Sequence, residues 1–260
     1  RMLFMSTSGT VACFDDATVQ EMVRAASKLG ARMLFMSTSG TVACFDDATA
    51  TADEHAPFAE KLAGRWPYYA SKIEAERASR ALADELGVPL AMARLPILLG
   101  PKDHKRRSTT HVTRVLDARV PLVPSGGVNF ADVRDVATAL VRLTQLDAMQ
   151  PVYHFPGTVL SLADFFQLVC EVSGATLDRP HAPRWVVQGL AKLSEHLPRK
   201  GPLEKLPDSV VLEMATCHWG LSSLWSEQEL GYRSRPPRET LSDTVEWLRT
   251  SDEGVGATHG

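Results

Sequence analysis

The chain carries two identical copies of one segment, separated by a stretch with the pattern of a helix. Residues 1–18 recur as residues 32–49, at an offset of 31 positions. The apolar runs Met2–Ser6 and Met33–Ser37 are typical of buried strands, and Thr18–Leu29 is typical of a helix. Two strands of one sheet that are joined by a helix are parallel, with a right-handed crossover. The repeat therefore predicts that the first copy lies beside the second in a parallel sheet.

Downstream of the repeat, helical and strand-like patterns continue to alternate. Tyr68–Leu86 is rich in Ala, Glu and Arg, its apolar residues recur every three to four positions, and Gly87 follows it. Strands that alternate with helices are typical of a parallel sheet covered on both faces, so the sequence predicts an α/β fold. The other predicted elements are the strands Leu90–Leu95 and Val152–Phe155 and the helices Thr110–Ala118, Val133–Leu143, Leu162–Val172, Trp185–His196, Ser209–Thr216 and Glu239–Thr250, with a basic loop at Pro101–Thr110 and a linker at Pro198–Pro207.

Tyr68 and Lys72 are four residues apart at the start of the predicted long helix. Side chains with this spacing are neighbours on a helix. A free phenol has a pKa of about 10, and an ammonium at about 4 Å stabilises the phenolate enough to bring that pKa toward neutrality. The pair therefore predicts a phenol that acts as an acid or a base, and the hydroxyl of Ser39, just past the second apolar run, could hold the substrate oxygen.

Several motifs in a fixed order make the chain similar to a known enzyme family. Ser39 lies in the run MLFMSTSGTV, the Tyr68 helix comes next, and a later strand ends in LPILLGP. NFADVRDVA follows, and the C-terminal part contains HWGLSS, ELGY and TLSDTVEWL. With these motifs residues 18–249 resemble the extended short-chain dehydrogenase/reductases, most closely the dihydroflavonol-reductase-like, 3β-hydroxysteroid-dehydrogenase-like and NAD-dependent epimerase/dehydratase members.

The resemblance implies the roles of five residues. Ser39, Tyr68 and Lys72 match the catalytic Ser, Tyr and Lys of the family. Lys72 would also bind the nicotinamide ribose, and the backbone near Pro96 and Ile97 would lie against the nicotinamide of NAD or NADP. Cofactor-binding residues are thus expected to be Tyr68, Lys72, Pro96 and Ile97.

The resemblance also implies an architecture, a Rossmann-like parallel sheet with helices on both faces, N-terminally truncated, plus a smaller C-terminal substrate-binding region. Residues 1–31 would be the duplicated segment and helix, and residues 32–150 a partial Rossmann-like core with the Ser-Tyr-Lys site. Residues 151–250 would form mainly the substrate-binding region, and residues 251–260 a flexible tail. Family members of this type often form homodimers, so a homodimer is possible for this chain.

Two departures from the family pattern affect what is expected of this chain. A Gly-rich turn between a strand and a helix would hold the pyrophosphate, and the nearest match, residues 254–260, has no helix after it. Weak or no binding of NAD or NADP is therefore expected for this chain. The repeat also gives Ser39 a twin, Ser8. Only Ser39 has the family order of helix, strand, Ser and Tyr helix, so Ser8 is expected to be structural.

The predicted function is an NAD(P)-dependent oxidoreductase that moves a hydride to or from a ketone or secondary alcohol, with Tyr68 as the acid or base. Sugar-nucleotide epimerases often carry Asn where this chain has Ile97, and the apolar residue favours a more apolar substrate. The alternatives are a sugar-nucleotide epimerase or dehydratase, and a non-catalytic fragment or binding protein of the same fold.

Composition excludes several other classes. The net charge of −3 argues against a nucleic-acid binder, and no apolar run reaches the length of about 18 residues that spans a bilayer. The four cysteines lack a C-x-x-C pair and the eight histidines lack ligand spacing, so free thiols and no metal site are expected. The chain is expected in the cytoplasm, with a small molecule as its partner.

Some residues have two possible roles. Asp132 and Asp135 are expected to fix a loop and a helix rather than to act in catalysis, and Tyr69 is expected to be a packing residue. Arg94 could approach a ligand or form a structural salt bridge. His111 could line the substrate pocket, although a surface position is favoured. Lys102, Lys105, Arg106 and Arg107 could bind a phosphate, although a solvated loop is favoured.

Overall fold

The computed structural model describes residues 2–6, 16–194 and 208–256. Ser8, Cys13, His196 and the predicted linker at 198–207 lie outside the described residues. The predicted alternation of strands and helices is confirmed, with shifts of a few residues at the element ends.

Helices and short strands follow one another along the whole described chain. The helices are α1 (Asp16–Lys28), α2 (Pro67–Leu86), α3 (Thr110–Leu116), α4 (Val133–Gln145), α5 (Leu162–Ser173), α6 (Arg184–Ser194), α7 (Ser209–Met214), α8 (Trp225–Leu230) and α9 (Pro237–Gly256). The strands are β1 (Met2–Ser6), β2 (Arg32–Thr38), β3 (Thr51–Ala52), β4 (Leu90–Leu95), β5 (Ile97–Leu99), β6 (Val123–Pro124), β7 (Gly127–Asp132), β8 (Val152–His154), β9 (Thr158–Ser161), β10 (His181–Ala182) and β11 (Gly220–Leu221). Short 3-10 turns cover Ser39–Thr41 and Ala63–Arg65.

The main sheet is parallel throughout its described part. Its strand order is β1-β2-β4-β8, and each neighbouring pair is parallel. The prediction that the first copy of the repeat lies beside the second is confirmed, because Met2–Ser6 pairs with residues 32–36. β1 thus extends the sheet on one side of the strand that leads to Ser39.

Both faces of the main sheet are covered, as the uninterrupted apolar strands predict. On one face Met33 and Phe35 pack with apolar residues of α1 and α2, including Val23 and Leu82. On the other face Leu34 packs with apolar residues of α4 and α8. The alternation along β2 follows from the strand geometry, in which successive side chains point to opposite faces. The predicted sheet with helices on both faces is therefore confirmed.

A second, smaller layer is built from segments on both sides of residue 150. β5 pairs with β7 in parallel, and β7 pairs with β9 in antiparallel orientation. Phe130 of β7 packs against α5, and apolar residues of α3 and α9 complete this core. β8, which lies past residue 150, belongs to the main sheet. The ranges 32–150 and 151–250 therefore interleave in space.

The ends of α2 and α9 define the start of the predicted site helix and the extent of the C-terminal helix. α2 begins at Pro67, a favoured first helical residue, and ends at Gly87, which has a left-handed φ of 64°. α9 continues to Gly256, into the range for which a flexible tail is predicted. No helix among the described residues has the length and apolar character needed to cross a bilayer.

Candidate active site

Ser39 lies in a tight turn at the carboxyl end of a central strand. β2 ends at Thr38, and the 3-10 turn Ser39–Thr41 begins at once. The Thr38 side chain accepts a hydrogen bond from the backbone N–H of Gly40, and the Thr41 hydroxyl donates to the Thr38 carbonyl at 2.9 Å. Ser39 is buried, with 4% of its surface exposed. In open α/β sheets ligands bind at this edge of the strands, so the turn places Ser39 where a ligand would enter.

A buried carboxylate holds this turn against the helix that follows. Glu76 of α2 accepts hydrogen bonds from the hydroxyls of Ser37 at 2.5 Å and Thr41 at 3.0 Å. Arg94 of β4 donates to the same carboxylate at 2.7 and 3.1 Å, and both side chains are nearly inaccessible. Arg94 also contacts His154 of β8 at 3.3 Å. Of its two predicted roles, Arg94 thus has the structural salt bridge.

Tyr68 and Lys72 lie on the same side of α2, as their spacing predicts. The Lys72 Nζ atom is 5.9 Å from the centre of the Tyr68 ring and 5.7 Å from that of Phe35. It donates a hydrogen bond of 3.5 Å to the Met36 carbonyl of β2. Lys72 is 5% exposed, whereas Tyr68 is 42% exposed. The ammonium is therefore buried between the helix and the sheet, and the phenol remains accessible.

The acid–base properties of this pair differ from the prediction for the isolated motif. Burial raises the pKa of Tyr68 above its ordinary value, and a hydrogen bond with Thr38 partly opposes that rise. Burial lowers the pKa of Lys72 to about 8, against the opposing charge of Glu76. The prediction that Lys72 brings the pKa of Tyr68 down is not met in this structure, because burial of the phenol raises that pKa by more than the Thr38 hydrogen bond lowers it. Tyr68 is a neutral phenol near neutral pH.

A cavity of about 510 Å³ brings four of the five predicted site residues together. Ser39, Tyr68, Pro96 and Ile97 line its wall, and Lys72 lies buried behind it. Pro96 and Ile97 reach it because β4 ends at Leu95 and the chain then turns into β5. Such a volume is typical of a small-molecule site. The geometry thus gathers a hydroxyl and a phenol on the wall of one cavity, with an amine close behind the phenol.

Tyr69 has the packing role that the sequence favours. It is buried, stacks on Trp219 with ring centres 5.7 Å apart, and contacts the Tyr68 ring edge-on at 5.0 Å. Gly40 lets it approach, since a Cβ atom at that position would lie 2.1 Å from the Tyr69 ring. Burial raises the pKa of Tyr69. Tyr69 therefore supports Tyr68 and the Ser39 turn as a neutral ring.

His111 contradicts the favoured prediction, and one exposed residue of the basic loop also reaches the cavity. His111 lines the cavity, so the surface position is wrong. It lies in the first turn of α3, which packs on the second layer and turns this face of the helix inward. Burial and the nearby charge of Arg114 lower its pKa to about 4, so the imidazole is neutral. Arg107 also lines the cavity, whereas Lys102, Lys105 and Arg106 are not part of its described wall.

The two aspartates fix a helix start, as predicted. Asp132 caps α4 by accepting a hydrogen bond from the backbone N–H of Arg134, and it pairs with the Arg134 side chain at 2.7 Å. Asp135 pairs with Arg235 at 2.7 Å. Burial favours a higher pKa for Asp132, but the hydrogen bonds and charge of Arg134 and the charge of Arg235 outweigh it and hold that pKa below its ordinary value. Both carboxylates tie the start of α4 to neighbouring cations rather than to the cavity.

Sequence reasoning missed four residues that shape the site, namely Thr38, Glu76, Arg114 and Trp219. Glu76 had a detectable signal, because it is four residues past Lys72 and so extends the same helix face. Trp219 and Arg114 reach the wall through tertiary contacts, and their local sequence gives no signal. Among the described residues, no group of three or more His, Cys, Asp or Glu side chains is placed to hold a metal ion.

Comparisons with known proteins are consistent with this geometry. The family described as NAD dependent epimerase/dehydratase matches residues 16–155. No curated protein matches the chain by sequence. Three solved structures share the fold. One is gox2253, which is 22% identical, with a TM-score of 0.76 over 96% of this chain and 78% of that one. Another is PA4631, a nucleoside-diphosphate-sugar epimerase from Pseudomonas aeruginosa, which is 16% identical, with a TM-score of 0.72 over 96% of this chain and 89% of that one. The third is DesIV, a dTDP-glucose 4,6-dehydratase from Streptomyces venezuelae, which is 18% identical, with a TM-score of 0.68 over 97% of this chain and 74% of that one.

Proposed function

The chain belongs to the NAD dependent epimerase/dehydratase family of enzymes, and we propose that it is an NAD(P)-dependent oxidoreductase that acts on a ketone or a secondary alcohol. The observation that carries this proposal is the shared cavity of Ser39, Tyr68, Pro96 and Ile97, with Lys72 buried behind Tyr68. A hydroxyl, a phenol and an amine in this arrangement can bind a carbonyl oxygen and deliver a proton to it.

The residues present fit the nicotinamide end of the cofactor. The Lys72 ammonium is buried and makes one long hydrogen bond to the described residues, so it retains donors for a ribose hydroxyl. Pro96 and Ile97 present a short apolar surface beside Tyr68. We propose that these residues hold the ribose and the nicotinamide, as the family resemblance implies. When bound, NAD or NADP supplies or accepts the hydride.

Each polar residue then has one task in the reaction. Ser39 donates a hydrogen bond to the substrate oxygen and fixes its position. Tyr68 donates its proton to that oxygen in the direction of carbonyl reduction. The raised pKa of Tyr68 suits this task, because the phenol stays protonated near neutral pH. Lys72, whose charge lies close behind the ring, favours the phenolate that remains after the transfer.

A substitution of Tyr68 by phenylalanine tests this assignment. General acid catalysis is typically worth about 10²–10⁴-fold, so Tyr68→Phe should lower kcat by that range while leaving the affinity for NADH or NADPH nearly unchanged. Tyr69→Phe is the matched control, since it makes the same chemical change one residue further on and should have little effect. Turnover is measured by NAD(P)H absorbance and affinity by fluorescence titration. Equal rates for Tyr68→Phe and the parent would remove Tyr68 from the mechanism.

The family match and the solved structures support a second candidate. PA4631 and DesIV are a sugar-nucleotide epimerase and a dehydratase, so a sugar-nucleotide substrate is the alternative for this chain. The apolar Ile97 on the cavity wall favours the first candidate. Thermal stabilisation of the chain by UDP-glucose or dTDP-glucose, without stabilisation by a neutral aliphatic ketone, would favour the second. Titration with NADH and NADPH distinguishes these two candidate enzymes, which bind a cofactor, from a non-catalytic protein of the same fold, which would not.

A further inference from the structure

Three arginines line the cavity on the side formed by α3 and the segments next to it. Arg107 precedes α3, Arg114 lies in its last turn, and Arg119 follows it. His111 and Arg114 are three residues apart in α3 and so share one face of that helix. Arg107 reaches the same cavity from the loop just before the helix. We call Arg107, Arg114 and Arg119 the arginine wall. A guanidinium keeps its charge at every physiological pH, so the wall carries a permanent positive charge.

The described residues that line the cavity contain no carboxylate to neutralise this wall. Arg119 has a partner outside the cavity, Asp117, at 3.4 Å, and both side chains of that pair are largely exposed. The side chains of Arg107 and Arg114 make no ion pair or hydrogen bond with a described residue. Burial and the charge of Arg114 keep His111 neutral near neutral pH, so it offers a hydrogen bond without adding charge. The cavity is therefore cationic and lacks a counter-ion among the described residues.

The rest of the cavity wall is predominantly apolar. One polar amide on it, that of Asn129, is already used, because it donates to the Trp219 carbonyl and accepts from the Gly157 N–H. The hydroxyls on the wall are those of Thr38, Ser39, Tyr68, Tyr69 and Ser108, and the larger, apolar part of the wall would accommodate an alkyl or ring system. The apolar side chains on the wall include Ile97, Val128, Leu162, Phe166, Leu212 and Met214.

We propose that the substrate is a ketone or secondary alcohol with an apolar body and one anionic group, a carboxylate or a phosphate, which Arg107 and Arg114 bind. This inference rests on the proposed function for the reacting carbonyl, and it goes beyond that function by assigning the charge and polarity of the rest of the substrate. Both guanidinium groups can bind such an oxyanion through two parallel hydrogen bonds. The apolar body then extends along the wall that contains Ile97 and Phe166.

Ligand binding without turnover tests the proposal. The full chain is titrated with nonanoate, octyl phosphate and methyl nonanoate, and binding is followed by tryptophan fluorescence, because Trp219 lines the cavity. Arg107→Met, Arg114→Met and the double variant are compared with the parent. Arg24→Met, which removes an exposed charge from α1, is the control. Thermal unfolding verifies that each variant is folded, and Arg107, being exposed, is the variant least able to perturb the fold.

We expect at least one of the two anions to bind about tenfold or more tightly than the neutral ester, since hydrogen bonds to charged groups are the strong ones. Each single arginine variant should lower the affinity for that anion by about tenfold, and Arg24→Met should leave it unchanged. The preferred anion decides between carboxylate and phosphate. Equal affinity for anions and ester, or unchanged anion affinity in the double variant, would overturn the proposal.

The failure of this proposal can be told apart from failure of the proposed function. If Tyr68-dependent reduction of neutral ketones is observed but the anion preference is absent, the oxidoreductase stands and the anion site is wrong. If anions bind through the two arginines but no hydride transfer is found with any oxo acid, the anion site stands and the oxidoreductase is wrong.

Discussion

Replacing Lys72 by methionine should stabilise the protein while removing its activity. The Lys72 ammonium is buried, with 5% exposure and one hydrogen bond of 3.5 Å to the described residues. Burial lowers its pKa from 10.5 to about 8, even though Glu76 opposes the change. Since each pKa unit corresponds to about 1.4 kcal/mol, the fold disfavours the charged amine by roughly 3 kcal/mol. Methionine has a similar length and no charge, so Lys72→Met should gain much of that free energy near neutral pH.

The pH dependence of unfolding makes this prediction specific. A base whose pKa is lower in the folded state binds its proton more tightly when unfolded, so the free energy of unfolding rises with pH between about 8 and 10.5. Across that pH window the free energy of unfolding of the parent should therefore rise by up to roughly 3 kcal/mol relative to that of Lys72→Met. The two proteins should be about equally stable at the alkaline end of the window.

Urea unfolding followed by circular dichroism at several pH values measures both effects. Lys61→Met is the control, because Lys61 is exposed and its removal should leave the pH dependence unchanged. The reasoning fails if Lys72→Met is less stable than the parent near neutral pH and the two curves run parallel through the alkaline window. Activity assayed on the same samples would show whether the stability gain comes with loss of turnover.

Three further substitutions address the surroundings of the site. Gly40→Ala should lower stability by about 1–3 kcal/mol and reduce turnover, because the new methyl group would collide with the Tyr69 ring; thermal unfolding and kcat measure the two effects. Glu76→Gln should cost about 3 kcal/mol in urea unfolding, since it leaves the Arg94 charge buried without its partner. Asp132→Asn should make stability fall less steeply in acid. The ionised Asp132, whose pKa is lowered by folding, stabilises the protein above about pH 4, and this contribution is lost as the pH falls. An unchanged acid transition would contradict this prediction.

Much of the fold could be predicted from local patterns because those patterns record burial directly. The apolar run at 33–37 is a strand because both faces of the sheet are covered there, and the run at 2–6 pairs with it in parallel. The Tyr68 helix was recognisable from its apolar spacing and from Gly87, which adopts the left-handed conformation that ends a helix. The gathering of these residues also followed from their motifs, since Ser39, Pro96 and Ile97 lie where parallel strands end and Tyr68 lies in the first turn of the helix that packs on that sheet.

What could not be predicted depends on groups that are distant in sequence. The pKa of Lys72 depends on burial against β2 and on Glu76, which neighbour it only once α2 packs on the sheet. The sequence around His111 carries no signal for burial, and the residue lines the cavity in a fold in which α3 packs on the second layer through Val112 and Val115. Arg114 and Trp219 join the wall from the chain's central and C-terminal parts. Local sequence carries no record of such contacts.

The repeat shows why identical residues need not have identical environments. Met2 is the copy of Met33, yet in the sheet Met2 pairs with Arg32 and Leu3 pairs with Met33. The first copy is thus staggered by one residue against its twin. A stagger of one residue exchanges the two faces of a strand, and Met2 accordingly packs in the core beside Leu34 while Met33 packs on the opposite face. A strand with alternating polar residues would not tolerate this exchange, whereas the uninterrupted apolar run can bury either face. The same property that lets the segment serve as a central strand therefore lets its copy extend the sheet beside it.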